Sequence, residues 1–206
     1  MDSAVAEKTR PLPSLDLKNE TEARLAACAR RISQLLKSPA TAANPQVQSA
    51  LDDFLGGVYA LIRAKQEGFQ NRPGRPIAIK PVAQRAARIG AGNIKTDGLW
   101  IAGFYFNNAL FRTSAVYHRI LKVITGANGY VPALQPTALA RYPNWRTDRL
   151  AKVHIQVNEL KHEPHGVYHG RTVTYEEALG AACDLLDLIE AWATANTQSP
   201  PKKTQP

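Results

Sequence analysis

The chain has 206 residues, 44% of them hydrophobic and 21% charged, which is enough apolar material for one packed domain and too much for wholesale disorder. Its two cysteines, Cys28 and Cys183, cannot build a disulfide framework and lack the CxxC spacing of a zinc or redox motif. Lys and Arg number 26 against 17 Asp and Glu, a formal charge of +9. Asp2, Lys8 and Arg10 break any signal-peptide pattern, and no stretch reaches the roughly 18 apolar residues of a membrane span. A soluble, cytoplasmic protein with no membrane partner is therefore expected.

Residues 1–15, with Pro11 and Pro13, read as a flexible N-terminal arm. Leu25, Cys28, Ala29, Ile32, Leu35 and Leu36 then recur at helical spacing and predict a first helix over 17–37. Ser38–Pro45 interrupts it. Val47, Leu51, Phe54, Val58, Leu61 and Ile62 mark a second helix over 46–67, ending near Gly68. The segment QNRPGRPIAIKP carries three prolines and a glycine, excluding a regular helix interior. A short helix over 82–89 and a brief strand at 77–79 are the readings left open there. Asp97 reads as the cap of a long third helix, 98–125, closed by Gly126. That helix is apolar nearly all round, which predicts a central position. Residues 127–144, with Pro132, Pro136 and Pro143, read as a linker. A fourth helix is expected over 145–162, with Leu150, Val153, Val157 and Leu160 on one seam. Thr174 and Glu177 form a capping box for a last helix over 174–195. Residues 197–206 read as a disordered tail. The expected fold class is all-α: a single helical-bundle domain over 16–196 with about five main helices, a basic proline-containing insertion and disordered termini.

The charge is uneven along the chain. From Arg63 to Arg146 there are 13 basic residues against Glu67 and Asp97 alone, a balance of about +11 that leaves about −2 elsewhere. Such a field draws anions, with nucleic acid the commonest candidate and an acidic protein partner the other.

Four of the five histidines, His154, His162, His165 and His169, lie in HIQVNELKHEPHGVYHGR. Imidazole is the side chain suited to proton transfer near neutral pH. His154, Asn158 and Lys161 share one helical stripe beside the apolar seam. Two readings stay open: a site, or cations at a helix C-terminus with Asn158 bonded to the following loop. His162, His165 and His169 have local spacing for a metal, but no cysteine or carboxylate pair completes a set, so neither metal nor other cofactor is expected. Tyr105, Asn108, Arg112 and Arg119 form a polar stripe on the third helix. Its arginines need an internal carboxylate, with Asp148, Glu159 and Asp184 as candidates, or a phosphate. Ser114 has no nucleophile-elbow context.

The order of elements from 98 to 195, an apolar helix GLWIAGFYFNNALFRTSAVYHRIL, a helix RLAKVHIQVNELKH, a polar turn and a capped final helix, resembles the HEPN superfamily. These are small all-α domains, often dimeric, many of them metal-independent ribonucleases of prokaryotic defence and toxin systems. Active members carry an arginine and a histidine separated by four to six residues, a spacing met here by Arg149 with His154 and by Arg112 with His118. The resemblance implies RNA cleavage through the ribose 2′-hydroxyl, leaving a 2′,3′-cyclic phosphate. His154 would move protons and Arg149 would stabilise the pentacoordinate charge. Asn158, Lys161 and His162 would position the phosphate, and the basic region with Arg72, Arg75, Lys80, Arg85 and Arg88 would supply sequence-independent affinity. The sequence departs from the family pattern at Leu150, where a polar residue usually follows the arginine. Arg149 and His154 also point about 140° apart on an unbroken helix. Their convergence requires a frayed first turn or a site shared across a homodimer. The alternative the resemblance accommodates is a non-catalytic helical adaptor that binds nucleic acid or a protein partner.

Overall fold

A computed structural model of the protein describes residues 20–69, 98–162 and 173–198. All the regular structure among them is helical: α1 (Glu20–Leu36), α2 (Pro39–Ala42), α3 (Pro45–Gln66), α4 (Gly98–Thr125), α5 (Val131–Arg141), α6 (Asp148–His162) and α7 (Tyr175–Gln198). The fold is an all-α bundle, as the apolar spacing predicts. The expected elements at 77–79 and 82–89, the Asp97 cap and residues 1–15 and 199–206 lie outside the described residues, while Thr197 and Gln198, expected in the tail, still belong to α7. No helix among the described residues is long and apolar enough to cross a membrane.

Local chemistry sets the helix ends. Ser38 caps α2, accepting from the Thr41 amide, and Asn44 caps α3, its side-chain oxygen accepting from the amides of Gln46 and Val47 at 3.1 and 3.2 Å. Pro45 follows that cap at the first helical position, where its missing N–H is no loss. At the other end of α3, Gly68 takes φ 80°. The Phe69 amide reaches back to Ala64 O and the Gly68 amide to Lys65 O, a paired closure that satisfies two terminal carbonyls. Phe69 then stacks on Phe106 at 4.1 Å between centroids, fixing the exit of α3 onto α4. Gly126, at φ 70°, ends α4 as expected. The capping box of α7 is formed reciprocally: Glu177 N–H donates to Thr174 Oγ1 at 3.2 Å and Thr174 N–H to Glu177 Oε2 at 2.8 Å.

Three expectations are adjusted. The interruption after α1 contains a one-turn helix, α2. The proline-rich segment 127–144, expected as a linker, holds the 11-residue helix α5. Pro132 lies in its first turn, where an N–H would have no helical acceptor, so only Pro136 removes a bond. Burial of Val131, Leu134 and Ala138 offsets that loss, as does the Gln135 amide donating to the Tyr117 hydroxyl at 2.8 Å. The fourth expected helix also starts later, at Asp148, because Trp145 sits in the preceding turn and donates its indole N–H to Asp184 O.

The core is built around α4, against which α3, α5, α6 and α7 pack. Closest is α3. A Cβ on Gly56 would lie 2.8 Å from Arg112 Nη1, and one on Gly57 would lie 3.3 Å from Arg112 Cβ, so two glycines open the path of that side chain across α3. Phe54, Leu110, Tyr117, Leu150 and Leu179 are fully buried where the helices meet. Replacing Phe54 with Ala should cost about 3–5 kcal/mol in urea unfolding, by lost transfer energy and a residual cavity. Thr174→Ala should cost about 1 kcal/mol through the cap.

Candidate functional site

Helices α4 and α6 run antiparallel: Tyr117 packs edge-on to Trp145 just before α6, Ser114 meets His154, and Phe111 lies against Lys161. The apolar side of α6, Leu150, Val153 and Val157, is buried. This puts the neighbouring stripe, His154, Asn158 and Lys161, along the rim of the α4–α6 groove.

His154 is held at both ring nitrogens. Asn158 Nδ2 lies 3.1 Å from Nε2 and donates to it, which leaves the proton of the neutral ring on Nδ1, 2.9 Å from Ser114 Oγ. Burial pushes the imidazole below its ordinary range, and electrostatic repulsion from the neighbouring His118 and Lys161 side chains acts in the same direction. His154 is thus a neutral, oriented imidazole at neutral pH. His118, one turn beyond Ser114, donates its Nε2–H to Gly129 O at 2.9 Å and so anchors the loop that carries Tyr130. The Tyr130 ring, 61% exposed, stands 6.0 Å from the His154 ring. At the other end of the groove the Lys161 ammonium lies 6.0 Å from the Phe111 ring. The groove therefore lines up a neutral imidazole backed by the buried Ser114 hydroxyl, an amide and a cation over about 10 Å of helix from His154 to Lys161.

Arg149 and His154 do not meet within one chain, as their positions on an unbroken helix require. Arg149, in the first turn of α6, turns to α7 and grips Asp184 with two bonds, Nε to Oδ2 at 2.8 Å and Nη2 to Oδ1 at 2.5 Å. The Asp184 side chain is only 8% exposed, and Gly180 leaves the space, since a Cβ there would lie 2.7 Å from Arg149 Cζ. The guanidinium serves as a helix clamp in this arrangement. A carboxylate buried to this degree needs such a partner.

Arg112 and Arg119 have an internal partner, but it is none of the three expected. Both reach Asp53 of α3, Arg112 at 3.3 Å and Arg119 at 2.5 Å, and Arg112 also donates to Asn108 Oδ1 at 3.0 Å. Arg112 and Ser114, two residues apart, point about 160° from each other round α4, so Arg112 stands away from the His154 groove. His118 is near His154 but paired with Gly129 rather than with Arg112. His162 ends α6. Arg72, Arg75, Lys80, Arg85 and Arg88, together with His165 and His169, lie outside the described residues. No three His, Cys, Asp or Glu side chains group as metal ligands among the described residues.

Sequence reading singled out neither Ser114 nor Tyr130 for this site. A signal for Ser114 was present: it lies one turn from His118 and directly follows Thr113, off the polar stripe of Asn108, Arg112 and Arg119. Both polar groups are buried and require partners.

Protonation of His154 would set Nε2–H against the donating Asn158 amide. The folded-state pKa lies below the ordinary 6.5, so the unfolded chain binds this proton first as the pH falls. Stability should therefore drop on acidification through and below 6.5. Thermal melts from about pH 7.5 to 5.5 should show a shallower pH dependence for His154→Gln than for the wild type. Compared against protein-family models, curated proteins and solved structures, the chain matches none.

Proposed function

We propose that the protein is a HEPN-like helical module that binds RNA, with the α4–α6 groove receiving the ribose–phosphate backbone. The observation that carries this reading is the pairing of an oriented neutral imidazole with an uncompensated cation. His154 is fixed by Ser114 and Asn158, while Lys161, one turn beyond Asn158, is exposed and forms no ion pair among the described residues. A backbone phosphate accepts charge-assisted bonds from an ammonium and neutral bonds from an amide, and the exposed Tyr130 ring offers a face for a base to stack on. Lys122 and Arg146 likewise have no carboxylate partner among the described residues, whereas Arg112, Arg119, Arg149 and Lys152 do. The formal +9 of the chain supplies the long-range attraction.

One observation favours a second reading, a metal-independent endoribonuclease. The lowered pKa leaves His154 unprotonated at neutral pH, as a general base must be. In that reading Asn158 releases His154 Nε2, which takes the proton of a ribose 2′-hydroxyl, and either Arg149 leaves Asp184 or Lys161 carries the phosphate charge. The binding reading needs no such rearrangement.

Fluorescence anisotropy with a labelled single-stranded RNA of about 20 nucleotides tests the proposal. The affinity should fall log-linearly with salt. Lys161→Ala should weaken it several-fold and reduce the salt slope by about 0.7, the share of one phosphate contact on a single strand. Absence of binding at about 50 mM salt, or a salt-insensitive affinity, would overturn the assignment. Product ends after incubation in EDTA distinguish the second reading: 2′,3′-cyclic phosphate from the wild type and none from His154→Gln would establish cleavage.

A further inference from the structure

The first and last helices of the bundle bring its two cysteines together. Cys28, on the buried face of α1, and Cys183, on α7, are 155 residues apart in sequence, yet their sulfurs lie 3.8 Å apart. Both are free thiols. The surroundings are asymmetric. Cys28 is 2% exposed, whereas Cys183 is only partly buried and within reach of a small solute. Arg24 and Arg31 stand beside the pair. They are themselves tied to α7, Arg24 to Glu176 at 3.2 Å and Arg31 to Asp187 and Glu190 at 2.5 and 2.7 Å.

We propose that Cys28 and Cys183 form an oxidation site: a peroxide converts them to a disulfide that fastens α1 to α7. The geometry demands little. A disulfide of about 2.0 Å requires the sulfurs to approach by about 1.8 Å from their present separation. The helices that carry them are already held in register by the three ion pairs around them.

The two thiols have different parts in the reaction. The hydrogen bond from the Cys28 thiol holds Cys183 below the ordinary thiol range. The Arg24 and Arg31 charges act in the same sense, against the opposing effect of burial. Cys28 is pushed the other way by that same bond and by burial, so it keeps the shared proton. The Cys183 thiolate attacks one peroxide oxygen. A sulfur–oxygen bond forms, the oxygen–oxygen bond breaks, and the departing hydroxide takes a proton to leave as water. Cys28 sulfur then attacks the Cys183 sulfenic sulfur. The sulfur–sulfur bond forms and the sulfur–oxygen bond breaks, and the second hydroxide leaves as water with the Cys28 proton. Two electrons pass from the thiols to the peroxide, and the products are one disulfide and two waters.

The experiment uses the reduced full-length protein treated with hydrogen peroxide at about 100 μM. Both free thiols should disappear, and the intact mass should fall by about 2 Da. The monomer should run faster on a non-reducing denaturing gel. Because the bond closes a loop of this length, the melting temperature should rise by about 5–15 °C and return on addition of dithiothreitol. In Cys28→Ser the resolving sulfur is gone, so dimedone should label a sulfenic acid at Cys183. Retention of both thiols in the wild type, cross-linking between chains, or over-oxidation of wild-type Cys183 without a disulfide would each overturn the proposal. The wild-type mass and gel readouts hold whether or not the serine variant folds.

Discussion

A helix whose side chains are apolar on most of its circumference cannot rest at the surface of a domain, and α4, at 28 residues, imposes that constraint on everything around it. Helices α3, α5, α6 and α7 all pack against it. Its buried polar side chains must then find partners, because burying a polar group without a hydrogen bond costs on the order of 1–3 kcal/mol, and its two part-exposed arginines find one as well. Arg112 and Arg119 find Asp53 on α3. Ser114 finds His154 on α6, Tyr117 finds Gln135 on α5, and His118 finds the Gly129 carbonyl. These polar contacts fix the azimuth and register of the neighbours, while apolar burial provides the bulk of the cohesion. The candidate site is one of these contacts, placed where the α4–α6 packing opens to solvent.

The same logic separates two kinds of basic residue. Arg112, Arg119 and Arg149 point at carboxylates on other helices and hold the bundle together. Removing the carboxylate from the Arg149–Asp184 pair would strand a charge, whereas removing the arginine would strand a nearly buried anion. Lys161 has no such obligation and is available to a ligand. A clamp and a binding cation are indistinguishable in a composition count. They differ only in what stands opposite them once the helices are packed.

That difference explains what was legible in the sequence. Helical periodicity located α1, α3, α4, α6 and α7 to within a few residues, because burial of one stripe is a local property of the chain. The Thr174–Glu177 box and the Gly126 stop were equally local. The stripe of His154, Asn158 and Lys161 was visible for the same reason, since a spacing of three or four residues fixes a common face. Helix α5 was missed because three prolines outweighed a short apolar pattern, although one of them occupies a first turn where it does no harm. Partners across the bundle were beyond the reach of periodicity. Asp53 is 59 residues from Arg112, and Ser114 is 40 from His154. A helical wheel says which residues share a face, but it does not say which helix that face will meet.

The pairing of α1 with α7 bears on how the protein is made as well as on how it stands. Asp187 and Glu190, the carboxylates that neutralise Arg31, leave the ribosome 156 and 159 residues after it. At elongation rates of about 5–20 residues per second, that interval is roughly 8–30 s. During it the apolar face of α1, with Leu25 and Ile32, has α2 and α3 as its main helical neighbours among the described residues. Docking of α1 against α7 is a contact of very high sequence separation, the slowest kind to form. The nascent chain therefore carries an incompletely covered helix until α7 emerges, and α7 completes the packing of α1.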